Sequence, residues 1–170
     1  MSTTARAWST TAIAFIVAGA AIILALVIFA AQIAFQTQFL YLVSFAAMVL
    51  ALVLLARRDL TNGTARTAVL FAALGWLILV VATIVPALPG IVASAAYFVI
   101  GASGIAAGIV VVYAAQLTPQ ARIAFASLMG VTALYMASAF FGVFGPFAAL
   151  LTLLLGIGAL VTAYLLQTRR

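Results

Sequence analysis

The chain has 170 residues, 69% of them hydrophobic and 5% charged, with a mean hydropathy of +1.45. A soluble domain carries about 25% charged and roughly half apolar residues, so the composition excludes an ordinary soluble fold and points to a lipid-embedded one. The charged side chains are seven arginines and Asp59; there is no Lys, Glu, His or Cys.

A bilayer core about 30 Å thick takes about 20 apolar residues per spanning helix. Six such stretches are predicted, at 12–35, 39–56, 67–85, 91–116, 123–141 and 147–166. The first follows Arg6 and could be misread as a secretory signal. Its apolar run is far longer than the 7–15 residues of a signal core, so an uncleaved first helix is expected. Gln36, Thr37 and Gln38 break it from the second. The polar stretch 57–66 separates the second span from the third, and its Asn62-Gly63-Thr64 reads as a turn rather than a glycosylation site. Pro86 to Gly90 forms the next break. Thr118-Pro119 and Gly145-Pro146 are placed to cap and start the fifth and sixth helices, with proline at the first helical position.

The arginines turn this count into a topology. Arg6 precedes span one, Arg57, Arg58 and Arg66 lie between spans two and three, Arg122 lies between four and five, and Arg169 and Arg170 follow span six. All seven then fall on one side, and the positive-inside rule expects both termini in the cytoplasm of a multi-pass protein of the inner or plasma membrane. The predicted fold class is all-α: six transmembrane helices arranged as three hairpins. Tyr113-Ala114-Ala115-Gln116 and Tyr164-Leu165-Leu166-Gln167 suggest a repeated hairpin, the competing reading being an inverted repeat of three spans plus three.

The missing residue types narrow the chemistry. Zinc and most transition metals need thiolate or imidazole ligands, and nucleophilic triads and carboxylate pairs cannot be assembled. With no ionisable group expected inside the spans, proton coupling lacks its usual machinery. No enzyme, cofactor or metal is expected, and dispersed arginines that already fix orientation do not suggest nucleic acid.

What remains is packing, lipid contact and passive permeation. Gly101, Gly104 and Gly108 in span four, and Gly156 and Gly158 in span six, form small-residue faces that let helix backbones approach closely. One face is expected to receive the other, or to serve a homo-oligomer or a larger membrane complex. Arg57, Arg58 and Arg66 are expected against anionic headgroups, with Asp59 pairing a nearby arginine or capping its loop. Gln32, Ser94 and Ser103 are candidates for a solute path, against the alternative that such side chains merely bond to their own helices. Trp8, Tyr41, Tyr113, Tyr164 and the phenylalanines at 35, 39, 140, 141, 144 and 147 read as interfacial belts.

The turn from Val85-Pro86 to Gly90-Ile91 followed by Gly101, Gly104 and Gly108, and the turn from Gly142 to Pro146 followed by Gly156 and Gly158, resemble the HdeD family of small bacterial membrane proteins. The first hairpin departs from that pattern, because its outer turn has neither Pro nor Gly. The resemblance implies a stress-associated inner-membrane protein without known catalysis, and it carries no functional residues over. The leading expectation is a non-enzymatic structural, accessory or stress-associated membrane protein. The alternatives are a passive channel or carrier for a small neutral or apolar solute, and a binder of lipid, quinone or pigment.

Overall fold

The computed structural model describes residues 8–31, 37–85, 90–142 and 145–168. These residues are helical and contain no strand. The helices are α1 (Thr10–Ala30), α2 (Thr37–Leu54), α3 (Gly63–Ile84), α4 (Gly90–Val112), α5 (Pro119–Phe140) and α6 (Pro146–Gln167). Six helices are long and apolar enough to cross a membrane, which makes this a multi-pass integral membrane protein.

Local sequence explains most of the boundaries. Ser9 caps α1 by accepting from the Ala12 amide, and Asn62 caps α3 by accepting from Thr64 and Ala65. Thr118 accepts from Ala121 and Pro119 opens α5. Pro146 opens α6 behind Gly145, whose φ of +102° is one that a side chain would strain. Several ends differ from the span bounds read in the sequence: α1 ends at Ala30 and not at 35, and α3 starts at Gly63 and not at 67. The second helix does not stop at Ala56 but continues through a π-helical turn, Leu55–Asp59, closed by the Leu60 amide on the Leu55 carbonyl. The fourth stops at Val112 and not at Gln116, because residues 113–117 form turns fixed by hydrogen bonds that the Tyr113, Ala114 and Leu117 amides donate to the Val110, Val111 and Ala114 carbonyls.

The helices close into a ring. Each packs on its neighbours in sequence, and α6 completes the circuit against α1. The interior is filled by large apolar side chains from every helix, among them Phe15, Leu52, Trp76, Ile100, Phe125 and Leu155. The outer surface carries Phe29, Phe71, Phe98, Ile109 and Leu134, all exposed. Such a coat suits hydrocarbon, where apolar side chains lose nothing by facing outward.

Candidate functional site

One end of the bundle is charged. Arg57 and Arg58 project from the π turn and Arg66 from the first turn of α3, all exposed. Arg58 donates to the Thr10 hydroxyl, and Thr11 donates to Asp59 Oδ2 at 2.9 Å, so the end of α2 is tied to the start of α1. The turn after α4 is tied in the same manner to the segment before α3, by Gln116 Nε2 donating to Thr61. Gln167 departs from the pattern. Its Oε1 accepts from the Ser9 amide at 2.9 Å and closes the last helix onto the first. Arg122 has a structural task that charge patterning did not reveal. Its Nε donates to the Leu117 carbonyl at 3.0 Å and its Nη1 to the Val112 carbonyl at 3.1 Å, which locks the α4–α5 turn. Arg6, Arg169 and Arg170 lie outside the described residues.

The glycine faces pack within the bundle but do not meet each other. Gly104 and Gly108 lie against α5: a methyl added at Gly108 would sit 3.3 Å from Met129 Cβ, and one at Gly104 would sit 3.6 Å from the Met129 carbonyl. Gly101 faces Met136 with nothing nearer than 3.9 Å. Gly156 and Gly158 are two residues apart and so point in different directions. Gly156 receives Ile22 and Ile23 of α1, and Gly158 receives Leu128 of α5. Two tighter contacts escaped sequence reasoning, at Gly19 on Gly156 and at Gly75 on Ile100. Neither Gly19 nor Gly75 has a small residue four positions away, so no motif marks them.

Most Ser and Thr hydroxyls of the described spans close on their own helices. Thr83, Ser103, Thr132, Ser138, Thr152 and Thr162 each donate to a carbonyl three or four residues earlier. Ser44 differs, donating across to the Ala18 carbonyl of α1 at 2.8 Å. Ser94 and Ser103 are nine residues apart, about 14 Å along α4 and on opposite sides of it. Ser103 lines a shallow groove on the lipid side between α3 and α4 with Phe71 and Phe98. Gln32 lies outside the described residues.

The opposite end holds an aromatic and hydroxyl cluster. Tyr41 is half-buried one turn into α2. It continues the buried stripe of Phe45, Met48 and Leu52 and packs on Phe45 with ring centroids 6.1 Å apart. Phe45 in turn lies 5.2 Å from Trp76. Tyr135 of α5 makes a side-chain hydrogen bond with Thr152 of α6 and lies within electrostatic reach of Tyr41 and Tyr97. Trp76 is 1% exposed, and its Nε1–H is buried without an acceptor among the described residues. Beside this cluster a groove of about 430 Å³ opens between α4 and α5, running from exposed Phe98, Phe140 and Phe141 inward to Tyr97, Gly101 and buried Met136.

The other aromatic belt residues that are described are exposed: Trp8, Tyr113 and Tyr164 at the arginine end, Phe39, Phe140, Phe141 and Phe147 at the other. Phe35 and Phe144 lie outside the described residues. No group of His, Cys, Asp or Glu among the described residues could hold a metal ion. Compared with protein-family models, curated proteins and solved structures, the chain matches none.

Proposed function

We propose that this is a non-enzymatic membrane protein with a structural or accessory role, stress-associated in the sense that the HdeD resemblance implies, set in a cell membrane with both termini cytoplasmic. One observation supports it most: the ring interior is packed with apolar side chains, while most hydroxyls of the described spans bond back to their own helices. Such hydroxyls have no need of a water column, and a solute would have to displace Phe15, Trp76 and Leu155 to pass. The orientation rests on Arg57, Arg58, Arg66 and Arg122 gathered at one end, where anionic headgroups and the cytoplasmic leaflet favour them.

Purification in mild detergent followed by mass measurement tests the role. A partner retained in fixed stoichiometry supports it. A chain that purifies alone and makes liposomes permeable to a small neutral solute overturns it in favour of a channel.

A further inference from the structure

We propose that the outer groove between α1 and α2 binds one glycerophospholipid of net negative charge, with its phosphate on Arg58 and Thr10 and an acyl chain along the groove. The site rests on the reading that the arginine end lies at headgroup level, and it is independent of the accessory role.

The groove suits both parts of such a molecule. Buried Ala14 and Ala47 form its floor, and exposed Ile13, Val17 and Leu50 form its walls with half-buried Leu54. Its volume of about 410 Å³ is within the range of small-molecule sites. The apolar part runs about 10 Å along each helix, from Val17 to Thr10 and from Ala47 to Leu54. One leaflet of hydrocarbon is about 15 Å deep, so the groove takes the headgroup-proximal part of a chain. Arg58 lies one turn beyond Leu54, lines the same groove and donates to the Thr10 hydroxyl at its charged end. The two helices are also joined at depth, where Ser44 donates to the Ala18 carbonyl. Tied at both ends, the groove exists before its ligand arrives, which lowers the cost of binding.

Charge decides which lipid it holds. A guanidinium offers more N–H donors than the bond to Thr10 uses, in a planar fork that matches two phosphate oxygens, and the Thr10 hydroxyl can donate while it accepts. Asp59 would oppose an anion, but it is not part of the groove lining, and its Oδ2 takes the hydroxyl of buried Thr11. Three other lipid-side grooves, at α5–α6, α4–α5 and α3–α4, have no charged side chain in their lining among the described residues. Those grooves accept acyl chains alone, whereas the α1–α2 groove adds a cation where the phosphate lies. Phosphatidylcholine carries its own cation beside its phosphate and gains little from Arg58. Phosphatidylglycerol carries none and gains the full attraction.

The test uses the full chain in phosphatidylcholine nanodiscs and two photoreactive probes, a phosphatidylglycerol and a phosphatidylcholine with the same diazirine in the glycerol-proximal part of one chain. Labelled residues are mapped by mass spectrometry after irradiation. The glycerol probe should label Ile13, Val17 and Leu50 about fivefold more than the choline probe, which is what one arginine beside an anionic headgroup contributes. Both should label Leu134, exposed on α5 across the ring, equally. Unlabelled phosphatidylglycerol should compete at the groove, and chain-free glycerophosphate should not. In Arg58→Gln the two probes should reach parity while the choline probe labels as before, which shows that the seam is intact. Val17→Trp, which fills the groove from its exposed wall, should remove the preference at Leu50. Equal labelling of the parent chain by both probes overturns the proposal, as does a preference that survives in Arg58→Gln or in Val17→Trp. Full competition by glycerophosphate also overturns it, because a free phosphate then suffices and the groove adds nothing. Nanodiscs have no inside, so a reversed topology would overturn the orientation and leave this site standing.

Discussion

Gly19 of α1 and Gly156 of α6 meet where the ring closes: a methyl on Gly19 would lie 2.7 Å from the Gly156 carbonyl oxygen. A methyl on Gly156 would in turn lie 2.5 Å from Ile23 Cγ1. The first and last helices of the chain thus touch nearly backbone to backbone, which lipid-embedded helices need because no hydrophobic drive pulls them together.

Gly19→Ala should therefore open the α1–α6 seam. Backbone oxygen cannot swing aside as a side chain can, so a loss of about 1–3 kcal/mol is expected, as for other overpacked cores. Unfolding by SDS titration measures it. Gly130→Ala, where an added methyl meets nothing within 4 Å, is the control and should unfold no earlier than the parent chain. Equal stability of all three proteins would show that the seam yields.

Ser44→Ala removes the hydroxyl bond from α2 to the Ala18 carbonyl of α1. Interhelical polar contacts in membranes average about 0.6 kcal/mol, so a small but measurable destabilisation is expected. Thr132→Val should cost less, because that hydroxyl bonds only to Leu128 on its own helix. The comparison is read by the same SDS titration, and a larger loss at Thr132 would contradict it.

Arg122→Lys keeps the charge but cannot bridge two carbonyls with a planar fork. Amide exchange of residues 113–117 should quicken, while the helix interiors stay protected. Unchanged exchange in that turn would show that the Leu117 and Val112 bonds contribute nothing to it.

Because the chain has no cysteine of its own, single cysteines at Thr37 and Asn62 report sidedness directly. With six spans, a membrane-impermeant maleimide should reach Thr37→Cys from the outside and Asn62→Cys only after the membrane is opened. Labelling of both from one side would overturn the six-span topology.

Replacing Arg57 and Arg66 together by Gln should reduce the anionic lipid carried through purification, as quantified by lipid mass spectrometry. Both side chains are exposed at the charged end and neither is needed to cap a helix. Undiminished anionic lipid would remove these arginines from headgroup binding.

The residues themselves show which features could be read in advance. Pro119 behind Thr118 acts through a contact spanning three residues, so that helix start was legible, whereas Asn62 read as a turn residue and the structure makes it the cap of α3. The extension of α2 to Asp59 was not, because it depends on Thr11 and Thr10 of another helix holding Asp59 and Arg58. Tyr41 looked interfacial by its distance from the helix end. Its register with Phe45, Met48 and Leu52 also half-buries it against Phe45, and that register counts only once a neighbouring helix lies on that side. Trp76 gave no sign at all, since an orphan N–H is a property of its surroundings.

The sequence by itself determined that this is a membrane protein with six stretches apolar enough to cross the bilayer, and between which of them its arginines lie. Those follow from transfer free energies summed along the chain, which need no knowledge of neighbours. Tertiary structure decided which glycine meets which helix, that α6 closes on α1, and that Phe45 lies between Tyr41 and Trp76. In a chain that is apolar on every face, hydrophobicity does not distinguish inside from outside. Close steric fit, as between Gly19 and Gly156, makes that choice.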